Sequence, residues 1–147
     1  MSAGKKDKVW TGGKADSMLK NLLGSLELEI MKVMWGVGEA TVQQVTDAIK
    51  RRRLIAYTTV MTVMVHLVDK GLLTRTKQGK KYSYLVAKSR QEFLHEAARS
   101  RVQNMIDDLG DLAVAGFLGE ISKIEPDRLE QLRGLFQEIG TGDNASE

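Results

Sequence analysis

Residues 58–66 place hydroxyl, methyl and imidazole groups at helical spacing on one polar face. The set comprises Thr58, Thr59, Met61, Thr62, Val65 and His66. Threonine hydroxyls bond to base edges or phosphates, and threonine, valine and methionine side chains pack on the methyl group of thymine. This combination suits a helix that contacts bases in the major groove of DNA, although an exposed face with no ligand has a similar composition.

Basic side chains flank this segment on both sides. An arginine run precedes it and lysines follow it, and these residues are Arg51, Arg52, Arg53, Lys77, Lys80 and Lys81. Cationic side chains bind DNA phosphates, which sets affinity and register and leaves sequence choice to the base contacts. Each run alone is equally typical of a solvated surface. Their occurrence together around one helix favours DNA binding.

Residue types that catalysis requires are scarce in this chain. It has no cysteine and two histidines, His66 and His95, which excludes disulfides, thiol catalysis and cysteine zinc sites. The sequence contains neither a P-loop nor a serine nucleophile elbow. It therefore predicts no enzyme, no metal site and no cofactor.

Charge is unevenly distributed along the 147 residues. The net charge of +3 is the sum of +3 over residues 1–23, +7 over 24–90 and −7 over 91–147. The basic middle segment suits a polyanionic partner, which would repel the acidic C-terminal segment. No apolar run approaches the ~18 residues of a membrane helix and no secretory signal is apparent, so we expect a cytoplasmic chain without membrane insertion.

Apolar periodicity predicts two helices in the first third of the chain. The periodicity begins at Leu22, Ser25 is the predicted N-cap of the first helix, and Gly36 and Gly38 end this helix. Thr41 and Gln44 have the spacing of a capping box, which starts the second helix.

A third helix and two strands follow. The helix opens near Ala56 and closes at Gly71. Its predicted buried stripe is Val60, Val63, Met64, Leu67 and Val68. Residues 72–76 and 82–86 have strand-like composition, and 77–81 form a lysine-rich hairpin tip between them.

The C-terminal third is predicted to be helical. Residues 89–92 form a second capping box, which starts a long helical region. Gly110, Gly116 and Gly119 are expected to break or bend this region. Pro126 suits the first position of a last helix. The last helix has an apolar face of Leu129, Leu132, Leu135, Phe136 and Ile139. We expect this face to form a two-fold dimer. The alternative is that these helices fold back on their own domain.

These elements define a mainly α fold with a small β-hairpin, in which a winged helix-turn-helix domain precedes C-terminal dimerisation helices. The expected domains are a disordered basic tail at residues 1–21, a winged-helix DNA-binding domain at 22–88, a helical dimerisation domain at 89–140 and a disordered tail at 141–147.

Several of these segments resemble the penicillinase repressor family. The matching runs are LGSLELEIMKVMW (23–35), TVQQVTDAI (41–49), AYTTVMTVMVHLVDKGLL (56–73), Tyr82 and Tyr84 in the wing, and IEPDRLEQLRGLFQEI (124–139). The resemblance covers about residues 22–139. It implies a homodimeric transcriptional repressor that binds palindromic operators ahead of β-lactamase, antibiotic-resistance, copper-homeostasis or related genes.

The resemblance also implies site residues. It assigns DNA contact to Thr58, Thr59 and Thr62 of the helix that matches the family's recognition helix. Met61 and His66 stand where the family often has lysine or arginine. Both differences remove a permanent cation from the predicted DNA-facing side, so we expect a different operator sequence and fewer phosphate contacts.

Relief of repression in the penicillinase branch, by the same resemblance, uses a membrane sensor and proteolysis in the dimerisation helices. The cleaved bond would fall at Gly116–Phe117, where the phenylalanine is present and the preceding asparagine is not. We hypothesise cleavage between residues 105 and 122 by a regulatory protease. The copper-responsive branch binds metal through C-terminal cysteines, which this chain lacks.

Two other classes of protein remain open on the sequence alone. A winged helix can serve as a protein–protein interaction module, and a basic winged helix can also bind DNA without sequence preference, as a nucleoid-type protein does. The basic runs suit phosphate better than protein. A steep fall of duplex affinity with added salt would indicate DNA binding rather than a protein–protein interaction module. Equal affinity for promoter and random DNA would indicate a nucleoid-type protein.

Overall fold

The computed structural model describes residues 13–134, and these divide into two compact units after Leu94. The first unit contains the helices α1 (Gly13–Leu22), α2 (Ser25–Val37), α3 (Val42–Lys50) and α4 (Tyr57–Asp69), and the strands β1 (Glu39–Thr41), β2 (Leu73–Gln78) and β3 (Lys81–Val86). Helix α5 (Arg90–Leu109) begins in the first unit and continues into the second. Three helices followed by a hairpin confirm the predicted winged helix-turn-helix class.

Local sequence explains where the helices of the first unit begin and end. The predicted capping box forms at α3, because the Gln44 N–H donates to Thr41 Oγ1 over 3.2 Å and the Thr41 N–H donates to Gln44 Oε1 over 2.9 Å. At α2 the N-cap is Gly24 and not Ser25, since the Gly24 N–H donates to Glu27 Oε1 over 3.0 Å. Helix α4 ends at Asp69, and Gly71 follows as the predicted C′ residue with a φ of 79° that disfavours residues with a Cβ.

One apolar core holds the first unit together. Fully buried side chains come from every helix and from the sheet, and they include Leu19, Ile30, Met31, Met34, Val45, Val60, Met64, Leu67, Leu72 and Tyr84. Of the stripe predicted for α4, Val60, Met64 and Leu67 are buried, and the other two members pack against this core from partly buried positions. Burial at i, i+4 and i+7 fixes the rotation of α4 about its own axis.

A third strand joins the predicted hairpin, giving an antiparallel sheet in the order β1-β3-β2. Strand β1 is three residues long and pairs Ala40 with Tyr84 of β3. Its composition carries no strand signal, so non-local pairing alone determines its conformation. The backbone N–H of Val86 donates to the Gly38 carbonyl over 3.0 Å and extends this pairing. The turn of the wing lies at Gly79 and Lys80, inside the predicted tip.

The expectation of a disordered tail through residue 21 is wrong for residues 13–21, which belong to helix α1. Leu19 is fully buried and Ala15 is nearly so, and Asp16 Oδ1 forms a 2.6 Å ion pair with Arg90 Nη2. These contacts, together with Met18 and Leu22 packed against the core, dock α1 on the rest of the first unit. Residues 1–12 lie outside the described residues, as does the predicted tail at 141–147.

The described residues of the second unit are mainly helical. It contains most of α5, helix α6 (Asp111–Ile121) and a helix that starts at Pro126 as predicted and reaches the last described residue. Gly110 separates α5 from α6 with a φ of 58°. Gly116 and Gly119 do not break the helix as predicted, because both residues lie within α6. No helix within residues 13–134 is long and apolar enough to cross a membrane.

The burial of Leu19 predicts a measurable contribution of α1 to stability. Leu19→Ala removes a fully buried side chain and should lower the free energy of unfolding by about 2–4 kcal/mol in denaturant titrations followed by circular dichroism. Leu54→Ala makes the same chemical change at a side chain that is 99% exposed, and should shift stability by less than about 0.5 kcal/mol. Equal stability of the two variants would contradict the docking of α1.

Candidate nucleic-acid interface

A groove of about 790 Å³ lies between helix α4 and the wing formed by β2 and β3. Its lining residues are Thr41, Val42, Gln43, Tyr57, Met61, Thr62, Val65, His66, Arg75, Lys80, Lys81, Tyr82 and Tyr84. One wall is thus the outer face of α4, and the other consists of tyrosines and basic side chains. A groove with hydroxyls and methyls on one side and cations on the other suits a polar, anionic ligand.

Packing of α4 determines what this groove presents. Because Val60, Met64 and Leu67 are fully buried, the opposite side of the helix must face outward. Thr62 and His66 on that side are exposed, and Val65 is half-buried at its margin. The helical period therefore brings together four of the six predicted residues of this face, namely Met61, Thr62, Val65 and His66.

The remaining two threonines lie outside the groove lining. Thr58 and Thr59 are exposed in the first turn of α4. The Thr62 hydroxyl donates to the Thr58 carbonyl over 2.9 Å. Its hydrogen is therefore engaged within the helix, while its lone pairs and methyl group remain available to a ligand.

The predicted basic residues fall into three groups. Lys80 and Lys81, at the turn of the wing, line the groove. Lys77 is exposed on β2 and is not among the lining residues, and the arginine run lies in the segment that joins α3 to α4. Arg53 Nη1 is 3.3 Å from Glu29 Oε2, so part of its charge is compensated by a carboxylate of α2.

Other residues of the groove, above all Arg75, are not among the predicted site residues. Its guanidinium carbon lies 4.4 Å from the ring centroid of Tyr82. A hydrogen bond to the Tyr84 hydroxyl raises the pKa of Arg75, against an opposing effect of burial. The signal that could have identified this residue is the two-residue strand period, which places Arg75, Tyr82 and Tyr84 on one face of the hairpin.

An ion pair at the end of α4 ties this helix to α2. Lys70 Nζ lies 2.7 Å from Glu27 Oε2, and the Glu27 side chain is 19% exposed. Burial raises the pKa of Glu27, but the hydrogen bonds from Lys70 and from the Gly24 backbone lower it, and the net pKa lies below its usual 4.5. The carboxylate is thus ionised at neutral pH and helps to hold the helix that forms one wall of the groove.

The second unit holds the predicted dimerisation and cleavage residues. Leu129 and Leu132 are half-buried and line a shallow apolar hollow together with Ile121 and Ile124. Leu135, Phe136 and Ile139 lie outside the described residues. Large apolar side chains that remain exposed in this unit are Val102, Met105, Leu109, Leu112, Val114, Leu118 and Ile121.

The predicted cleavage bond lies in regular structure. Gly116 and Phe117 are both internal to α6, where Gly116 is exposed and Phe117 is half-buried. Among residues 13–134, no group of three or more histidine, aspartate or glutamate side chains is arranged to hold a metal ion.

The fold and the groove define a winged helix in which α4 and the wing together line one groove that carries basic side chains. The sequence model of the penicillinase repressor family matches residues 23–138, and the chain belongs to this family. The match includes the wing and the C-terminal helices but leaves out α1.

Individual relatives match over most of their length. The transcriptional regulator BlaI of Mycobacterium tuberculosis is 29% identical over 126 residues, which are 82% of this chain and 86% of that protein. The penicillinase repressor of Bacillus licheniformis is 21% identical over 116 residues, which are 79% and 90% of the two chains. A solution structure of the DNA-binding domain of the repressor BlaI aligns with a TM-score of 0.44 at 24% identity, over 48% of this chain and 85% of that domain.

The lowered pKa of Glu27 predicts how stability responds to acid. Because the pKa is lower in the folded chain than in the unfolded chain, the ion pair stabilises the fold above about pH 4.5 and loses its effect as pH falls through the folded pKa. Glu27→Gln should therefore reduce stability at pH 7 and flatten its decline below pH 4.5, as measured by denaturant titration across pH. A decline as steep as that of the parent chain would contradict this role.

Proposed function

We propose that this chain is a DNA-binding transcriptional repressor that binds a palindromic operator as a homodimer. One observation carries the proposal: the outer face of α4 and the basic turn of the wing line the same groove. Membership of the penicillinase repressor family and the similarity to a transcriptional regulator and a penicillinase repressor support it.

Helix α4 is proposed to enter the major groove and select sequence. The Thr62 hydroxyl hydrogen is engaged by the Thr58 carbonyl, so Thr62 would accept a hydrogen bond from the exocyclic amino group of adenine or cytosine. Met61 and Val65 would pack on thymine methyl groups. Thr58 and Thr59 in the first helical turn would contact the adjoining bases or phosphates.

Basic residues around this helix are proposed to bind the DNA backbone. Lys80 and Lys81 would contact phosphates from the wing, and Lys77 would reach the same strand farther along the hairpin. Arg51 and Arg52 are exposed in the loop that precedes α4, where a phosphate on the other side of the helix would lie. These contacts supply affinity and orientation rather than sequence preference.

The second unit is proposed to supply the dimer contact. Leu109, Leu112 and Leu118 are all more than half exposed, and a soluble chain seldom leaves so many large apolar side chains in water. Burying them against a second copy removes that cost, and two-fold symmetry matches a palindromic operator. Leu129 and Leu132 extend the same apolar character toward the C-terminus. Release by a protease that cuts at Gly116–Phe117 stays a prediction.

Selection of bound duplexes from a random library tests the function directly. A repressor of this class should enrich a palindrome, and its affinity for that sequence should fall steeply with salt and exceed its affinity for random DNA by at least ~10³-fold. Salt-dependent binding in which no sequence is enriched would indicate a nucleoid-type protein. Absence of binding at low salt would indicate a protein interaction module, and either result would refute the proposal.

Substitutions of Thr62 test the base contact. Thr62→Val keeps the size and one methyl group but removes the acceptor oxygen, and should reduce discrimination between the selected operator and its variants by ~1–3 kcal/mol. Thr62→Ser keeps the hydroxyl and is the matched control, which should retain discrimination. Competition binding with single-base operator variants measures both. If Thr62→Val discriminates as well as the parent chain, Thr62 does not accept from a base.

A charge placed on the exposed apolar face tests the dimer. Leu118 is 62% exposed, so Leu118→Asp should be tolerated by the isolated chain but should weaken dimerisation at least ~10-fold, because a carboxylate would be buried at the contact. Asn104→Asp adds the same charge at an exposed polar position of α5 and serves as the control. Sedimentation equilibrium measures both, and an unchanged dimer constant for Leu118→Asp would exclude this face.

A further inference from the structure

One face of the sheet is buried in the core at Ala40 and Tyr84. The same face lines the groove farther along the hairpin. Arg75 pairs with Tyr84, and Lys77 pairs with Tyr82, across the two strands of the hairpin. Side chains of directly opposed residues lie on the same face of a sheet. Ala40 opposes Tyr84 from the other side, and both are buried. The alternation therefore places Arg75 and Tyr82 at the point where the buried face becomes exposed.

Two tyrosines hold the Arg75 side chain at this point. Its guanidinium lies over the ring of Tyr82, with 4.4 Å between the guanidinium carbon and the ring centroid. Tyr84, which is only 1% exposed, lies directly opposite Arg75 across the two strands, and its side-chain hydrogen bond with Arg75 raises the pKa of the guanidinium. A stacked guanidinium keeps donors at its edge while its face is occupied, and its fixed geometry reduces the conformational entropy lost on binding a ligand.

Arg75 shares the groove with the proposed base-contacting residues but lies on the opposite wall. His66 and Thr62 on α4 and Lys80 and Lys81 on the wing line the same groove as Arg75. A duplex whose major groove receives α4 brings a bordering backbone strand against the wing. The planar fork of an arginine matches two oxygens of one phosphate, which a lysine ammonium cannot do.

We propose that Arg75 is a DNA phosphate-binding residue, and that Tyr82 and Tyr84 position its guanidinium before DNA arrives. The inference rests on the proposed function and assigns a residue of the wing wall that the basic runs do not include. Because the contact is to the backbone, Arg75 contributes to affinity and register for every duplex, and the face of α4 retains the choice of sequence.

Binding of the full-length chain to its selected operator and to a random duplex of equal length, across a salt series, tests this assignment. Arg75→Gln should weaken binding to both duplexes by a similar factor, about tenfold per subunit, and should lower the slope of log affinity against log salt by about one per subunit. Arg101→Gln removes the same charge from an exposed position of α5 and should leave affinity and slope unchanged.

Variants of the neighbouring residues separate positioning from charge alone. Arg75→Lys retains the charge without the planar fork, so it should keep the salt slope while losing part of the affinity. Tyr82→Leu should weaken binding more than Tyr82→Phe, since only the phenylalanine preserves an aromatic face beneath the guanidinium. A thermal melt accompanies each variant, and Arg75→Gln should melt within a few degrees of the parent chain because the side chain is exposed.

The possible failures are distinguishable. If the parent chain binds no duplex, the proposed function is wrong. If the parent chain binds but Arg75→Gln matches its affinity and salt slope, the phosphate contact alone is refuted. Loss of preference at particular base pairs with Arg75→Gln would assign a base contact instead, and loss of binding together with a strongly lowered melting temperature would assign a purely structural role. Either outcome overturns the proposal.

Discussion

The requirement to bury one stripe of α4 governs the arrangement of the winged-helix unit. Val60, Met64 and Leu67 have no exposed surface, so the helix has a single rotation that satisfies the core. That rotation also turns the threonines and His66 outward, toward the groove side of the helix. Burial also determines which side chains of the sheet face the groove, here with a period of two residues. Because Tyr84 is buried, Arg75 and Tyr82 on the same face lie toward the groove. Two simple periodicities thus build both walls of the interface.

The helices of this unit were predictable because their signals are local. The capping box at Thr41, the apolar stripe of α4 and the glycine at its end act within a few residues of the chain and are confirmed. Strand β1 was not predictable, since Ala40 becomes part of a sheet only by pairing with Tyr84, far along the sequence. Helix α1 was missed because Leu19 and Ala15 are sparse among polar residues, and burial by the rest of the core compensates for their small number.

The candidate site was predictable in part for the same reason. Helical periodicity identified Met61, Thr62, Val65 and His66, which do line one groove. Counting cations identified Lys80 and Lys81 but gave no weight to Arg75, whose importance depends on two aromatic neighbours from the opposite strand. Cations are equivalent in composition, but their surroundings in the fold differ. The Arg75 guanidinium lies over the Tyr82 ring, whereas the charge of Arg53 is partly compensated by the Glu29 carboxylate. The apolar face predicted for the last helix is described only at Leu129 and Leu132, which are half-buried, and its use in dimerisation stays a prediction.

The outward face of α4 also has an evolutionary consequence. Thr58, Thr59, Thr62 and His66 are exposed and contribute little to the core, so substitutions there carry a small cost in folding stability. Gene duplicates of such a chain could therefore diverge in target sequence by single residue changes while the scaffold stays constant.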